Sequence, residues 1–271
     1  SDYFVIQFLN QGMDRATREV THCLEQLFSP AGIIARNDVS VRSKENLPLE
    51  VKTLAGTVPE RVSVRMNGLV WQADLAHGQK TGIFLDQREN YLAVKQYAGG
   101  KALDCFTATG GFALHMASVC DSVEAIDSSA ATLGIAQENA RENALENIAF
   151  HRADVLDYLP SLVAAHRHFD IVVVDPPAFT KSRGALEGAE RGYKEVNLRA
   201  LRLLRPGGIL VSCSCSHHMS EGRLLEIIAA AALDCGKQLR VLERRTQSQD
   251  HPVLLTVPET HYLKCIILQV V

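Results

Sequence analysis

No Cys-x-x-Cys pair occurs among the seven cysteines of this chain, and seven is an odd number. The two facts exclude a disulfide scaffold and a zinc knuckle, so no metal is expected and the setting predicted is the reducing cytoplasm. No apolar run approaches the roughly 18 residues needed to cross a bilayer, and no secretory leader is legible, so no membrane partner is expected. Positive charge is not in excess either: 28 Lys and Arg face 31 Asp and Glu, for a net charge of −3. A chain basic as a whole is thereby excluded, and any RNA contact must rest on local cations. Repeats, low-complexity segments and a G-x-G-x-x-G fingerprint are absent, the last of which weakens a nicotinamide reading. What is present is 271 residues, 46% of them apolar, enough for one large α/β domain and a small one.

The chain is organised around residues 101–129, KALDCFTATGGFALHMASVCDSVEAIDSS. They predict a buried strand (102–106), a Gly-containing turn (107–111), a helix (112–119) and a second strand ending on Asp127. In a parallel sheet that order sets backbone N–H groups at the carboxyl end of the first strand, with an acid where a ribose would lie. A Gly-Gly helix entry without a ligand is the other reading. TATGGF after LDCF resembles the first motif of the S-adenosylmethionine (SAM) methyltransferases. The resemblance implies SAM as cofactor and S-adenosylhomocysteine as product, held by Asp104, Phe106, Thr109, Gly110 and Gly111, with Asp127 and Ser128 at the ribose.

Before this stretch, Ala16, Val20, Cys23, Leu24 and Leu27 recur at helical spacing, which predicts a helix capped by Asp14 and stopped at Ser29-Pro30. Short β segments follow over 32–36, 49–53, 61–66 and 69–74. Asn67-Gly68 predicts a type I′ hairpin, with Met66 opposite Leu69, Val64 opposite Trp71 and Val62 opposite Ala73. Residues 1–75 read as a small α+β domain that contacts RNA, and residues 76–271 as the SAM-binding domain. Arg36, Arg42, Lys44, Lys52, Arg61 and Arg65 are either phosphate contacts or a solvated face. A helix over 86–97 follows HGQKTGIF, where Lys80, Thr81, Gln87 and Arg88 are candidates for the cofactor; Arg88 suits its carboxylate or is a plain helix entry.

The α/β alternation continues with a helix over 129–143 and a strand over 147–151. Asp154 then either accepts from an adenine amino group, with Val155 over the ring, or caps the next helix. A continuous apolar strand over 169–174 is of the kind covered on both faces. It ends in Asp175-Pro176-Pro177-Ala178-Phe179, a stiff corner that cannot continue a ladder and can hold a planar substrate. A span over 180–188 precedes a helix bearing Tyr193, Val196, Ala200, Leu201 and Leu204. Pro206-Gly207-Gly208 is expected to end that helix and turn into a strand over 209–214. Cys213 reads as core packing, and Cys215 at the strand's exit, before His217 and His218, as the more exposed thiol. A helix over 219–235 and strands over 239–247 and 262–270 close the chain, predicting an antiparallel strand inserted at the sheet edge, as in SAM methyltransferases and not in dinucleotide dehydrogenases.

Taken together, D-V-S-V-R (38–42), K-T-G-x-F-L-D-Q-R (80–88), T-G-G-F (109–112), D-P-P-x-F (175–179), R-G-Y-K-E-x-N (191–197), S-C-S (214–216) and D-H-P (250–252) resemble the bacterial ribosomal RNA cytosine-C5 methyltransferases of the large subunit. The resemblance implies a Rossmann-like α/β fold and 5-methylcytidine formation in 23S ribosomal RNA. Cys215 would attack C6 of the cytosine with Asp175 supporting the base, Asp175 and Pro176 would border the cofactor, and Pro177, Phe179, Lys181 and Tyr193 would hold the substrate. His217, His218 or Lys181 would raise the thiolate fraction, or the two histidines are plain polar loop residues. Members of that family carry an N-terminal PUA RNA-binding domain without counterpart here; the chain opens on Ser1 rather than Met, so the expectation is that such a domain was removed or that RNA is held by less surface. A homodimer stays open, as do three other functions: methylation of a guanine or adenine nitrogen, a SAM-binding RNA module without turnover, and methylation of a small molecule.

Overall fold

Parallel strands need crossovers, and the helical pattern between each pair of apolar strands after residue 84 supplies them. The computed structural model describes residues 2–78, 82–179 and 186–271. It divides into two compact units, Ser1–Arg65 with Val70–Ile83, and Met66–Leu69 with Phe84–Val271.

The first unit begins with a strand the sequence did not announce, β1 (Tyr3–Ile6). Two short helices, α1 (Gln11–Arg15) and α2 (Thr17–Phe28), then replace the single helix expected. Asn10, not Asp14, is the cap: its side chain accepts from Met13 N at 3.0 Å. Of the five residues expected inward none is fully buried: Ala16, Val20 and Leu24 are half-buried, Cys23 is exposed and Leu27 is 73% exposed. The unit continues through β2 (Gly32–Asn37), α3 (Val41–Lys44), β3 (Glu50–Gly56), β4 (Arg61–Met66) and β5 (Leu69–Asp74). β1 and β3 flank β2, and β4 pairs with β5 about Asn67-Gly68 as predicted. Trp71 and Ala73 are buried while Val62 and Val64 pack from β4 on the cluster of Ile34, Ala73 and Leu75.

Two of the six candidate cations of this region are neither phosphate contacts nor part of a solvated face. Arg36 and Arg42 are buried, at 7% and 0% exposure. Arg36 forks onto Asp38 at 2.9 and 3.1 Å and donates to the carbonyls of Leu75 and Gly78; this holds the Asp38 carboxyl below its usual range. Arg42 donates to Pro48 O, Phe8 O and Asp14 Oδ1. Five fixed donors let one guanidinium close several loop carbonyls at once.

In the second unit, a 3-10 turn (Leu85–Gln87) leads into α4 (Arg88–Tyr97). Then follow β6 (Lys101–Cys105), α5 (Gly111–Ala117), β7 (Ser122–Asp127), α6 (Ala130–Glu142), β8 (Ile148–Arg152), α7 (Val155–Ala164), β9 (Phe169–Val174), α8 (Leu186–Leu203), β10 (Leu204–Ser214), α9 (Glu221–Asp234), β11 (Leu239–Arg245) and β12 (Lys264–Val270). The sheet order is β11-β12-β10-β9-β6-β7-β8. Strands β6 to β10 pair in parallel, and β12 runs antiparallel between β10 and β11. The Rossmann-like fold and the inserted antiparallel strand are therefore as expected. One local expectation fails: Pro206-Gly207-Gly208 lies inside β10, where the register against β9 shifts between Leu204 and Ile209. A bulge absorbs the missing Pro N–H and the positive φ of Gly207 at 78°.

β6 pairs with β7 on one side and β9 on the other, so the strand order reverses there. In such sheets the ligand crevice opens outside the carboxyl ends of the two strands at the reversal. Because β12 is antiparallel to β10, its first residues stand at that same edge.

Candidate active site

The loop after β6 leaves the sheet under strain. Phe106 and Ala108 hold positive φ (64° and 49°), as does Gly110 (94°). Non-glycine residues in that region cost of order 1–3 kcal/mol each and persist where surroundings fix them. Asp104 does much of the fixing: it is buried, and one carboxylate oxygen accepts from Thr107 Oγ1 at 2.6 Å and Ala113 N at 3.0 Å. Burial pushes its carboxyl up to about 7, and its Oδ1 is buried without a partner among the described residues. Thr109 O accepts from the buried Asn139 at 3.1 Å, tying the loop to α6.

Asp127 ends β7 half-buried. Its two oxygens accept from Ala108 N and Ser129 N, each at 2.9 Å. A carboxylate has about four lone-pair sites, so each oxygen can take one donor more. Ser128 beside it is exposed. Asp154 caps α7 through Leu156 N at 2.8 Å, and Val155 is buried in the apolar core.

At the end of β9, Asp175 accepts from Gln87 Nε2 at 3.0 Å. Gln87 in turn accepts from Asn90, whose side chain also reaches Thr246 O and Arg245 Nε. Arg88 is already engaged by Asp250 at 3.1 Å and Glu89 at 3.5 Å. Ser248 bonds Asp86 O and Glu89 N. The L-D-Q-R and D-H-P motifs, 162 residues apart, thus form one polar network. Pro176 is buried and Pro177 exposed. Phe179 is wedged edge-on between Phe106 (6.4 Å) and Tyr193 (4.9 Å). Tyr193, expected at the substrate, is 0% exposed and bonds Ser214 Oγ at 2.8 Å; it backs Phe179 from inside the core. Lys80, Thr81 and Lys181 lie outside the described residues.

The thiols at the end of β10 and just beyond it differ sharply. Cys213 is fully buried opposite Cys265; burial and that neighbouring sulfur push its thiol well above the usual range. Cys215 is half-buried at the strand's exit. His217 and His218 after it are exposed, the ring of His217 tilted 5.6 Å from Tyr262. Sequence reasoning missed Asn90, Tyr262 and Lys264. Tyr262 donates to Asp86 Oδ2 at 2.8 Å, and the signal for Lys264 was a lone charge at the head of an apolar strand.

The donor set suits the cofactor predicted from the motif. Asp127 offers acceptors to ribose hydroxyls, and the unpartnered Oδ1 of Asp104 is an acceptor suited to an ammonium, which would also draw that carboxyl back to its charged form. The fit depends on Gly111. A Cβ there would lie 2.4 Å from Tyr91 Oη, and Tyr91 cannot yield, being buried, edge-on to Phe112 at 4.8 Å and stacked on His115 at 5.1 Å. Gly111→Ala is expected to cost about 1–3 kcal/mol by overpacking and to weaken S-adenosylhomocysteine binding about tenfold or more. Titration calorimetry checks this, and wild-type affinity in the variant would sink it.

Over residues 9–265 the chain matches the family model of S-adenosylmethionine-dependent methyltransferases. Ribosomal RNA large subunit methyltransferase I of Yersinia pseudotuberculosis is 39% identical over 268 residues, spanning 97% of this chain and 68% of that protein. Among solved structures, a candidate SAM-dependent methyltransferase from Streptococcus mutans superposes with a TM-score of 0.84 at 20% identity, covering 99% of this chain and 69% of its own. Another candidate methyltransferase, complexed with S-adenosylhomocysteine, gives 0.85 at 20% identity, covering 99% and 70%. At that identity the two structures speak for the fold alone.

Proposed function

The chain belongs to the S-adenosylmethionine-dependent methyltransferase family, and from that premise we propose that it forms 5-methylcytidine in large-subunit ribosomal RNA through a covalent bond between Cys215 and C6 of the base. The observation that carries the reading is the half-buried Cys215 at the exit of β10, on the same sheet edge as the Asp175-Pro176-Pro177-Ala178-Phe179 corner. The RNA substrate is supported by the 39% identity to a ribosomal RNA large subunit methyltransferase. Seven cysteines without a Cys-x-x-Cys pair suit the reducing cytoplasm as its compartment.

When bound, the cofactor supplies an electrophilic methyl group on a sulfonium. Asp127, Asp154, Gln87 and the 104–111 loop would hold it, with Arg88 beside its carboxylate. C5 of cytosine is a poor nucleophile, so the protein must first raise its electron density. The thiolate of Cys215 does this by adding to C6, its lone pair forming the S–C6 bond while the ring electrons move toward C5. Asp175 supports N3 and the exocyclic amine as charge develops, and the stiff Pro176–Pro177 corner with Phe179 keeps the base out of its stack. Once C5 is methylated, a base takes its proton, the C6–S bond breaks and the electron pair returns to sulfur. The first unit would meet RNA phosphates with Lys44, Lys52, Arg61 and Arg65, which are exposed.

Nucleoside mass spectrometry of large-subunit RNA, naked and as subunits, after incubation with the protein and SAM tests this. The expected product is 5-methylcytidine. An N-methylated guanine or adenine would overturn the adduct chemistry, and SAM binding without a single turnover would make the chain a binding module.

A further inference from the structure

Strand β12 carries a charge into the interior. Lys264 stands opposite Ser214 across the β10–β12 pair and is 3% exposed. Its ammonium donates to Ser216 O at 2.6 Å and Tyr262 O at 2.8 Å. An ammonium has three donors, and these two bonds are the ones it makes among the described residues, none of which offers it a carboxylate. A buried cation held only by neutral carbonyls is costly unless an anion compensates it. The sulfur that can become that anion belongs to Cys215, one residue from the carbonyl Lys264 grips. Burial pushes the ammonium down to about 8, and the charge of Cys215 opposes that fall.

We propose that Lys264 is the positioning residue that keeps Cys215 a thiolate, its ammonium serving as counter-ion to the sulfur before attack and again as the sulfur leaves the base. This rests on Cys215 being the nucleophile. The S–H proton passes to water, the sulfur keeps the electron pair that becomes the S–C6 bond, and Lys264 keeps its own proton throughout. Among the described residues, Tyr193 from α8 and Tyr262 before β12 also feel the charge of this sulfur, both pushed up chiefly by burial and both neutral phenols near pH 7. Behind them stand Asp175, Asp86, Asp250 and Cys213. Of all these Lys264 alone is positive. The histidines expected to activate the thiol are exposed, and a solvated imidazole screens away most of its field.

The test is the pH dependence of Cys215 alkylation by iodoacetamide in the full chain, read by mass spectrometry on the peptide that carries it. In the wild type the midpoint should fall below the roughly 8.5 of a free thiol. Lys264→Met should raise it by about one to two pH units and slow alkylation at pH 7 about 10- to 100-fold, with Lys264→Arg recovering part of the loss. Methylation should fall in kcat in parallel while S-adenosylhomocysteine affinity holds. An unchanged midpoint in Lys264→Met overturns the proposal. If that variant does not fold, a wild-type midpoint at or above 8.5 does the same. Should Cys215→Ser methylate normally, the nucleophile reading fails instead, and the alkylation curves still report on the pair.

Discussion

Cys215→Ala or Cys215→Ser is expected to lose methyl transfer by at least about 10³-fold, or ~4 kcal/mol of barrier, with S-adenosylhomocysteine affinity unchanged. The loss should be this large because, among the described residues, no other thiol at the edge is accessible. Cys213 sits on the same strand, but it is fully buried opposite Cys265 and burial keeps it a thiol. An alanine at 213 should therefore leave turnover close to wild type. A serine hydroxyl at 215 is far too weakly acidic to add to C6 near neutral pH. RNA carrying 5-fluorocytidine supplies an independent readout, because fluorine at C5 cannot leave as a proton and the S–C6 bond is trapped as a stable protein–RNA adduct. Normal turnover by Cys215→Ala would sink the adduct chemistry and favour transfer to nitrogen at the Asp-Pro-Pro corner, whereas a dead Cys213→Ala beside an active Cys215→Ala would move the role to Cys213.

The second large effect is on stability. Arg42→Ala should cost about 3–5 kcal/mol, since removing one partner of a buried pair leaves the others desolvated and unpaired. The carbonyls of Phe8 and Pro48 lose their donor, Asp14 loses its counter-ion, and a cavity opens where a fully buried side chain stood. Arg42→Lys should recover only part of this, because a point charge cannot reach three separated acceptors as a planar fork does. Urea titration followed by circular dichroism reads the change, and a loss below about 1 kcal/mol, the worth of an exposed pair, would mean that Arg42 does not organise its loop. Activity per folded molecule should not move.

Arg42 also shows where sequence reading misleads. D-V-S-V-R was legible as a motif and its arginine as a candidate phosphate contact, yet the residue is interior and structural. A linear pattern gives the type of a charge but not its depth, and depth is set by which loops meet over it. The same limit hid the network that joins Gln87 and Asn90 to Asp175 and Thr246. Its partners are about 90 to 160 residues apart, and no periodicity links them. Conversely, Asn67-Gly68, the apolar run of β9 and the turn after β6 were readable because each is dictated within a few residues by turn chemistry, burial on both faces and close backbone approach.

By itself the sequence determined the order of strands and helices after residue 84, the hairpin at residue 67, the acids at the ends of β7, β8 and β9, and the antiparallel closing strand, all of which follow from local propensity and hydrophobic period. Only the tertiary structure decided which charged groups and which aromatic are interior: Arg36, Arg42 and Tyr193 as supports, and Lys264 as a buried cation at the head of β12. Burial is a property of packed neighbours distant in the chain, and it is burial that sets whether an ionisable group stays charged, finds a partner and reacts.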